Sequence, residues 1–388
     1  MIGSPLWLLL AILFLCSFDS HAQLPLLSPY LHLLGASTAM IGIVMGAYSI
    51  SNLTGNLIAG PLLDRFSKKL FITVGLLFAG ALLMGQGFAE EPDYFLYLRL
   101  ALGFVMAFVS PACYAILAQH GRTLQEQGEL MAKSGMVMTA ASIVSPSIGA
   151  YLAAHFGYAN AFLLFGAIMM VASALALFRL TPKQAVSKEG KKEPEAVRER
   201  AKVWQYIVGS HWLYLVFISG FAVLYAQGTL VYEVPLLILR QQLSPSVTGA
   251  LFSVMGLGSL LVLAQMWLSR TQPQLRIFFG LLALSLLMYL VAVGLPFSLY
   301  VLMFLAGACF GLLFPAIKTL LAQQAPPHLY GSLFSLFSAV LSIGTSFSPL
   351  VSGFIDNLHH AFFIAFFVLM TCSLLCLLQF GVVSRARE

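Results

Sequence analysis

The chain of 388 residues is 60% hydrophobic and only 9% charged, with 31 Phe, 32 Gly and a formal net charge of +6. At a mean hydropathy of +0.92 a water-soluble fold is excluded, because its surface would carry apolar patches far larger than soluble monomers tolerate. The basic surplus reads as a membrane orientation signal, so nucleic acid is not an expected partner and the lipid bilayer is.

In chain order, apolar runs of about 20 residues, the length that crosses a bilayer, predict twelve spans: 7 to 31, 38 to 62, 70 to 89, 94 to 118, 130 to 154, 159 to 180, 210 to 237, 244 to 268, 277 to 296, 298 to 322, 331 to 355 and 360 to 383. The first run has a rival reading. Residues 7 to 22 lead into Asp19-Ser20-His21-Ala22-Gln23 and could pass for a signal peptide with a small residue at the cut. They lack a basic leading region, and their removal would leave an odd number of spans with the basic loops on the wrong side, so the run is taken as a helix.

Of the 20 Lys and Arg, all but Arg99, Lys318 and Arg240 fall in segments on one side of this arrangement. They are the cluster at 65 to 69, Arg122, Lys133, the run 179 to 202, Arg270, Arg276, Arg385 and Arg387. The positive-inside rule makes that side cytoplasmic and puts both termini there, with Glu90, Glu91, Asp93 and Asp356 outside. A bacterial inner (plasma) membrane is the expected location.

The second half repeats the first at an offset of 204: Gly103 meets Gly307, Pro111-Ala112 meets Pro315-Ala316, Ala22-Gln23 meets Ala226-Gln227 and Gly149 meets Gly353. The expected organisation is therefore an all-α membrane protein of two pseudo-symmetric six-helix bundles, 1–180 and 206–388, joined by the charged linker 181–205. That linker reads as a solvated tether or a helix on the membrane surface.

Residues 60 to 69 read Gly-Pro-Leu-Leu-Asp-Arg-Phe-Ser-Lys-Lys, a glycine-led charge cluster between two apolar stretches. The spacing of Gly60, Asp64, Arg65, Lys68 and Lys69 resembles the loop between the second and third helices of major facilitator superfamily transporters, G-x-L-x-D-R-x-G-R-[KR], with Ser67 in place of glycine. Arg99, four residues before Gly103, is similar to the superfamily's fourth-helix pattern R-x-x-x-G. Gly135 and then Ser145-Pro146-Ser147-Ile148-Gly149-Ala150 resemble the G…G-P-x-x-G-G signature of its drug and metabolite antiporters, with Ser145 and Ala150 replacing two glycines. The resemblance implies the major facilitator fold, a cavity between the two bundles, and alternating access. It also implies gating by Gly60, Asp64, Arg65, Lys68 and Lys69 as a charge clasp, and by Gly135, Pro146 and Gly149 in the fifth span. Small residues at this spacing also serve close helix packing in lipid, and the two roles are compatible.

Ionisable side chains within spans are costly and so become functional candidates. Asp19 and Arg99 fall at similar depth, slightly outward of the midplane, and such a pair could touch. It would be either a proton-coupling and substrate-binding pair or a structural ion pair. Glu233, before Pro235, reads as a second protonatable site, an outer-gate acid or an interfacial residue. Lys318, after Pro315, reads as a counter-charge for an anionic substrate group or as a lysine snorkelling to the cytosolic interface. Gln23, Tyr225, Gln227 and Tyr232 offer substrate hydrogen bonds.

No metal, nucleotide or triad motif is present, so neither enzyme activity nor a cofactor is expected and the proton gradient is the expected energy source. Cys16, Cys113, Cys309, Cys372 and Cys376 all fall within spans and read as small apolar residues. The expected function is proton-coupled efflux of a small organic molecule, either a drug-like amphiphile or a metabolite such as a metallophore, by a monomer. Import by proton symport is the alternative. A membrane receptor or membrane enzyme is a remote one.

Overall fold

The structure, a computed structural model, describes residues 4–120, 124–180, 210–265, 271–294, 297–324, 330–355 and 357–385. Within them lie α1 (Ser4–Ala22), α2 (Leu27–Leu33), α3 (Thr38–Arg65), α4 (Lys68–Gly87), α5 (Pro92–His120), α6 (Leu124–Phe156) and α7 (Tyr158–Arg179). These are followed by α8 (His211–Arg240), α9 (Pro245–Leu263), α10 (Pro273–Val293), α11 (Leu299–Gln324), α12 (Tyr330–Ile355) and α13 (Leu358–Arg385). The linker at 181–205 lies outside the described residues, as do Arg122, Arg270, Asp356 and Arg387. Ten of the helices are individually long and apolar enough to cross a membrane. The 28-residue α3 is long enough but is not among them; it carries Ser49, Ser51, Asn52, Thr54 and Asn56.

The first expected span is not one continuous helix. Residues 7 to 31 break into α1 and α2, bent by 51° to each other. Pro25 explains the break: it brings no N–H, and its ring disfavours the helical conformation for the residue before it. In hydrocarbon the freed groups must find partners within the protein. The Gln23 carbonyl accepts from the amides of both Leu26 and Leu27 at 3.0 Å. The bend leaves the polar run Asp19 to Gln23 at the end of α1.

The chain divides into two compact units, Met1–Gly190 with Val234–Ser253, and Lys191–Glu233 with Val254–Glu388. In the first unit α3 packs on α5, α1 on α6, and α4 between α5 and α7. Missing side chains permit these approaches: a Cβ on Gly103 would collide with the Tyr48 carbonyl, and one on Gly149 with the Ala22 carbonyl. Gly249 lies against Pro146 O, which a Cβ would meet at 2.7 Å. Beside it, Ser253 Oγ donates to Ile143 O at 2.7 Å and pairs with Ser147 Oγ at 2.8 Å.

In the second unit α10 packs on α11 and α13, and Thr229 and Ser348 hydroxyls pair at 2.8 Å between α8 and α12. Gly307 on α11 approaches Met255 O on α9 as Gly103 approaches Tyr48 O. The repeat is thus visible within each unit, but its offset is not uniform: 204 from Gly103 to Gly307 and 207 from Tyr48 to Met255.

Candidate coupling and binding site

Asp19 lies in the last turn of α1 and Gln23 just past its end, where its backbone amide still donates to the Asp19 carbonyl at 3.2 Å, so the two side chains share a face. Gln23 Nε2 donates to Asp19 Oδ1 at 2.7 Å, and Gln23 Oε1 accepts from Arg99 Nη1 of α5. The expected contact of Asp19 with Arg99 therefore runs through Gln23, whose amide has both the donor and the acceptor needed to serve a carboxylate and a guanidinium at once. All three are buried, at 3%, 1% and 7% exposure respectively. The guanidinium lies over the Tyr48 ring of α3, 4.5 Å from its centroid, a cation–π contact in a desolvated setting. Arg99 Nε is buried without a hydrogen-bond partner.

Tyr48 is also one of the residues lining a cavity of about 290 Å³ within the first unit. From α1 it is lined by Cys16, Ser17, Ser20 and His21, and from α3 by Tyr48, Asn52 and Asn56. From α5 come Met106, Ala107, Ser110, Pro111 and Tyr114, and from α6 Met138. Tyr48 belongs to both places, while Asp19, Gln23 and Arg99 are not among the lining residues. Pro111, inside α5, brings no N–H to the Ala107 carbonyl one turn earlier.

The remaining expected residues fall elsewhere. Tyr225, Tyr232 and Glu233 are buried on α8 and Gln227 is half-buried there. Lys318 is exposed on α11, three residues beyond Pro315. Gly60, Asp64 and Arg65 occupy the last turns of α3, and Lys68 and Lys69 open α4 after the extended Phe66 and Ser67; of Asp64 and Arg65 the structure describes the backbone alone. Two lysines in the first turn oppose the helix dipole, so they are not there for helix stability. Gly135 is exposed, and a Cβ placed on it would meet nothing within 4 Å, unlike one on Gly149. His359, outside the candidate site, donates from Nδ1 to Ala292 O at 2.7 Å and ties α13 to the end of α10.

Sequence reasoning missed Tyr48, His21, Asn52, Asn56 and Tyr114 as cavity or coupling residues. A signal existed for His21, which sits inside the polar run Asp19 to Gln23 of an otherwise apolar span.

A bundle of long apolar helices with a buried charge relay beside a polar cavity is the architecture of a membrane transporter. The family model of the Major Facilitator Superfamily matches residues 9–349 and 275–387, and the chain belongs to that superfamily of transporters. It is 24% identical over 342 residues to the "Multi-drug resistance efflux pump PmrA homolog" of Lactococcus lactis subsp. lactis (strain IL1403), covering 84% of this chain and 82% of that one. To the "Multidrug resistance protein MdtG" of Klebsiella pneumoniae (strain 342) it is 26% identical over 302 residues, 75% and 71% of the two chains. Among solved structures, an inward-facing, unoccupied bacterial homologue of the human lysosomal transporter Spinster aligns at a TM-score of 0.79 with 14% identity, over 97% of each chain. A point variant of the nucleoside transporter NupG aligns at 0.79 with 13% identity, over 97% of this chain and 100% of that one. These structures establish the shared fold.

Proposed function

We propose that the protein is a proton-coupled exporter of small organic molecules, working by alternating access of its two six-helix halves, 1–180 and 206–388, about the linker 181–205. The observation that carries the reading is the relay Asp19–Gln23–Arg99, buried in α1 and α5 and in contact with a cavity wall through Tyr48. A carboxylate at such a site is costly to keep charged unless a cation lies near it, so proton uptake by Asp19 removes the negative charge that Arg99 offsets through Gln23. Glu233 is assigned as a second protonatable group. Gln23, Arg99, Tyr225, Gln227, Tyr232 and Lys318 are assigned to substrate contact, and the α3–α4 charge cluster with Gly135, Pro146 and Gly149 to gating.

Outward direction is supported by the drug-efflux names of the relatives and by the 145 to 150 motif of α6. The protein is assigned to a bacterial inner membrane as a monomer with cytoplasmic termini, drawing on the proton gradient without a bound cofactor. The test is flux in inside-out and right-side-out vesicles under an imposed pH gradient. Uptake into inside-out vesicles with an acid lumen supports proton-driven export. Accumulation in right-side-out vesicles driven by external acid would make it a symport importer, and gradient-independent flux would remove the coupling.

A further inference from the structure

The hydrogen bonds around the cavity specify what its occupant must bring. Ser17 Oγ donates to Met138 O at 3.3 Å, Ser20 Oγ to Cys16 O at 3.0 Å and Tyr114 OH to Met138 Sδ at 2.5 Å. Asn52 Nδ2 donates to Gly103 O at 3.0 Å and Asn56 Nδ2 to Asn52 Oδ1 at 2.8 Å. Most of the wall's donors are therefore spent on the protein itself. What remains includes acceptors, the hydroxyl lone pairs and Asn56 Oδ1, beside the Tyr48 and Ser110 hydroxyls. No Lys, Arg, Asp or Glu occurs among the described lining residues.

His21 completes the account. Its Nδ1 lies 2.8 Å from Ser17 O, and a carbonyl only accepts, so in the neutral ring Nδ1 carries the hydrogen and Nε2 keeps its lone pair. Nδ1 is thus held by the ring's own helix, and Nε2 is the polar atom the imidazole has left for the cavity it lines. Met106, Met138 and Cys16 supply soft, adaptable apolar wall around it.

We propose that His21 is the α1 side chain that receives the ligand, as a hydrogen-bond acceptor through Nε2, and that this cavity takes amphiphiles carrying an ammonium or other N–H donor in preference to carboxylates. The proposal rests on the cavity being the transport site of the exporter assigned above. It separates two tasks on one helix: Asp19 handles the proton at the buried relay, and His21 handles the ligand in the cavity.

The test is equilibrium binding to the full chain in lipid nanodiscs without a pH gradient. The probes are 4-phenylbutylammonium, its N,N,N-trimethyl analogue and 4-phenylbutanoate. The first two share charge and carbon chain and differ in donors. The primary ammonium is expected to bind about tenfold more tightly than the trimethyl form, the scale of one hydrogen bond from a charged donor, and the carboxylate more weakly than both. His21→Leu should erase the advantage of the primary ammonium while leaving the trimethyl probe within about twofold, which also shows that the variant is folded. His21→Gln, which restores an acceptor, should recover most of it. Equal wild-type affinities, no binding of the primary ammonium, tighter binding of the carboxylate, or equal loss of both cations in His21→Leu would each overturn the assignment. Because no gradient is applied, failure of export or coupling in vesicles is a separate result.

Discussion

Arg99 rests on the ring of Tyr48, 4.5 Å from its centroid, and the same tyrosine walls the cavity. One side chain therefore touches both the buried charge relay and the space a ligand would fill. In a densely packed interior, a shift of the guanidinium that moves the ring also moves part of the cavity wall.

Asp19→Asn should abolish pH-gradient-driven transport yet preserve gradient-free exchange. The amide oxygen still accepts from Gln23 Nε2, so the relay keeps its shape, but the side chain no longer takes up and releases a proton. Proteoliposome counterflow beside gradient-driven uptake checks this. If the variant still concentrates substrate, coupling moves to Glu233.

Tyr48→Phe and Tyr48→Leu should separate the roles of ring and hydroxyl. Phe keeps the face beneath Arg99 and should retain coupled transport with a small change in thermal stability. Leu removes a cation–π contact of about 0.5–2 kcal/mol and should both lower the unfolding temperature and loosen coupling, read as substrate flux per proton. Equal behaviour of the two variants would mean that the ring contact does not transmit.

Gly149→Ala and Gly135→Ala should diverge although both residues belong to one motif. At Gly149 the new methyl meets the Ala22 carbonyl backbone of α1, which cannot give way as a flexible side chain would. At Gly135 nothing lies within 4 Å, and replacing a helical glycine by alanine gains about 0.5–1 kcal/mol. Thermal unfolding of purified protein should show loss for Gly149→Ala and no loss for Gly135→Ala. A Gly135→Ala variant that is stable but transport-dead would assign that glycine to gating alone.

Much of the fold was legible because bilayer thickness fixes helix length, and depth counting placed Asp19 and Arg99 at the same level. Gln23 as intermediary was not legible, since depth says nothing of which side chain reaches across. The bend at Pro25 was concealed by unbroken hydropathy: Leu24, Leu26 and Leu27 continue the apolar run although the backbone turns. Tyr48 escaped notice because its importance comes from Gly103, 55 residues on, which lets α5 descend onto its carbonyl and brings Arg99 over the ring. A single repeat offset also misaligned α3 with α9 by three residues, because 55 residues lead from Tyr48 to Gly103 and 52 from Met255 to Gly307.

Asp64→Asn should shift the resting population towards the cytoplasm-open state and slow turnover, with insertion and folding intact. Asp64 closes α3 two residues before Phe66, where the chain turns into the lysine-led α4. Neutralising it removes the anion among Arg65, Lys68 and Lys69 and acts on the equilibrium between states. Labelling of single cysteines from each side of the membrane reports the shift, and unchanged labelling with normal turnover would dismiss the clasp.

Lys318→Ala should weaken binding of carboxylate-bearing ligands much more than cationic ones, because removing an ammonium from a low-dielectric surface raises the cost of holding an anion and lowers that of holding a cation. The repeat gives this lysine a position. Gly103 and Gly307 correspond, so Lys318 on α11 stands where Tyr114 stands on α5, and Tyr114 lines the cavity of the first unit. Lys318 is exposed rather than packed. A competition series of matched carboxylate, neutral and ammonium ligands decides the matter. Loss confined to the carboxylates assigns the lysine to anion recognition; equal loss across the series makes it a snorkelling residue, and carboxylate-rich metallophores then lose their best candidate counter-charge.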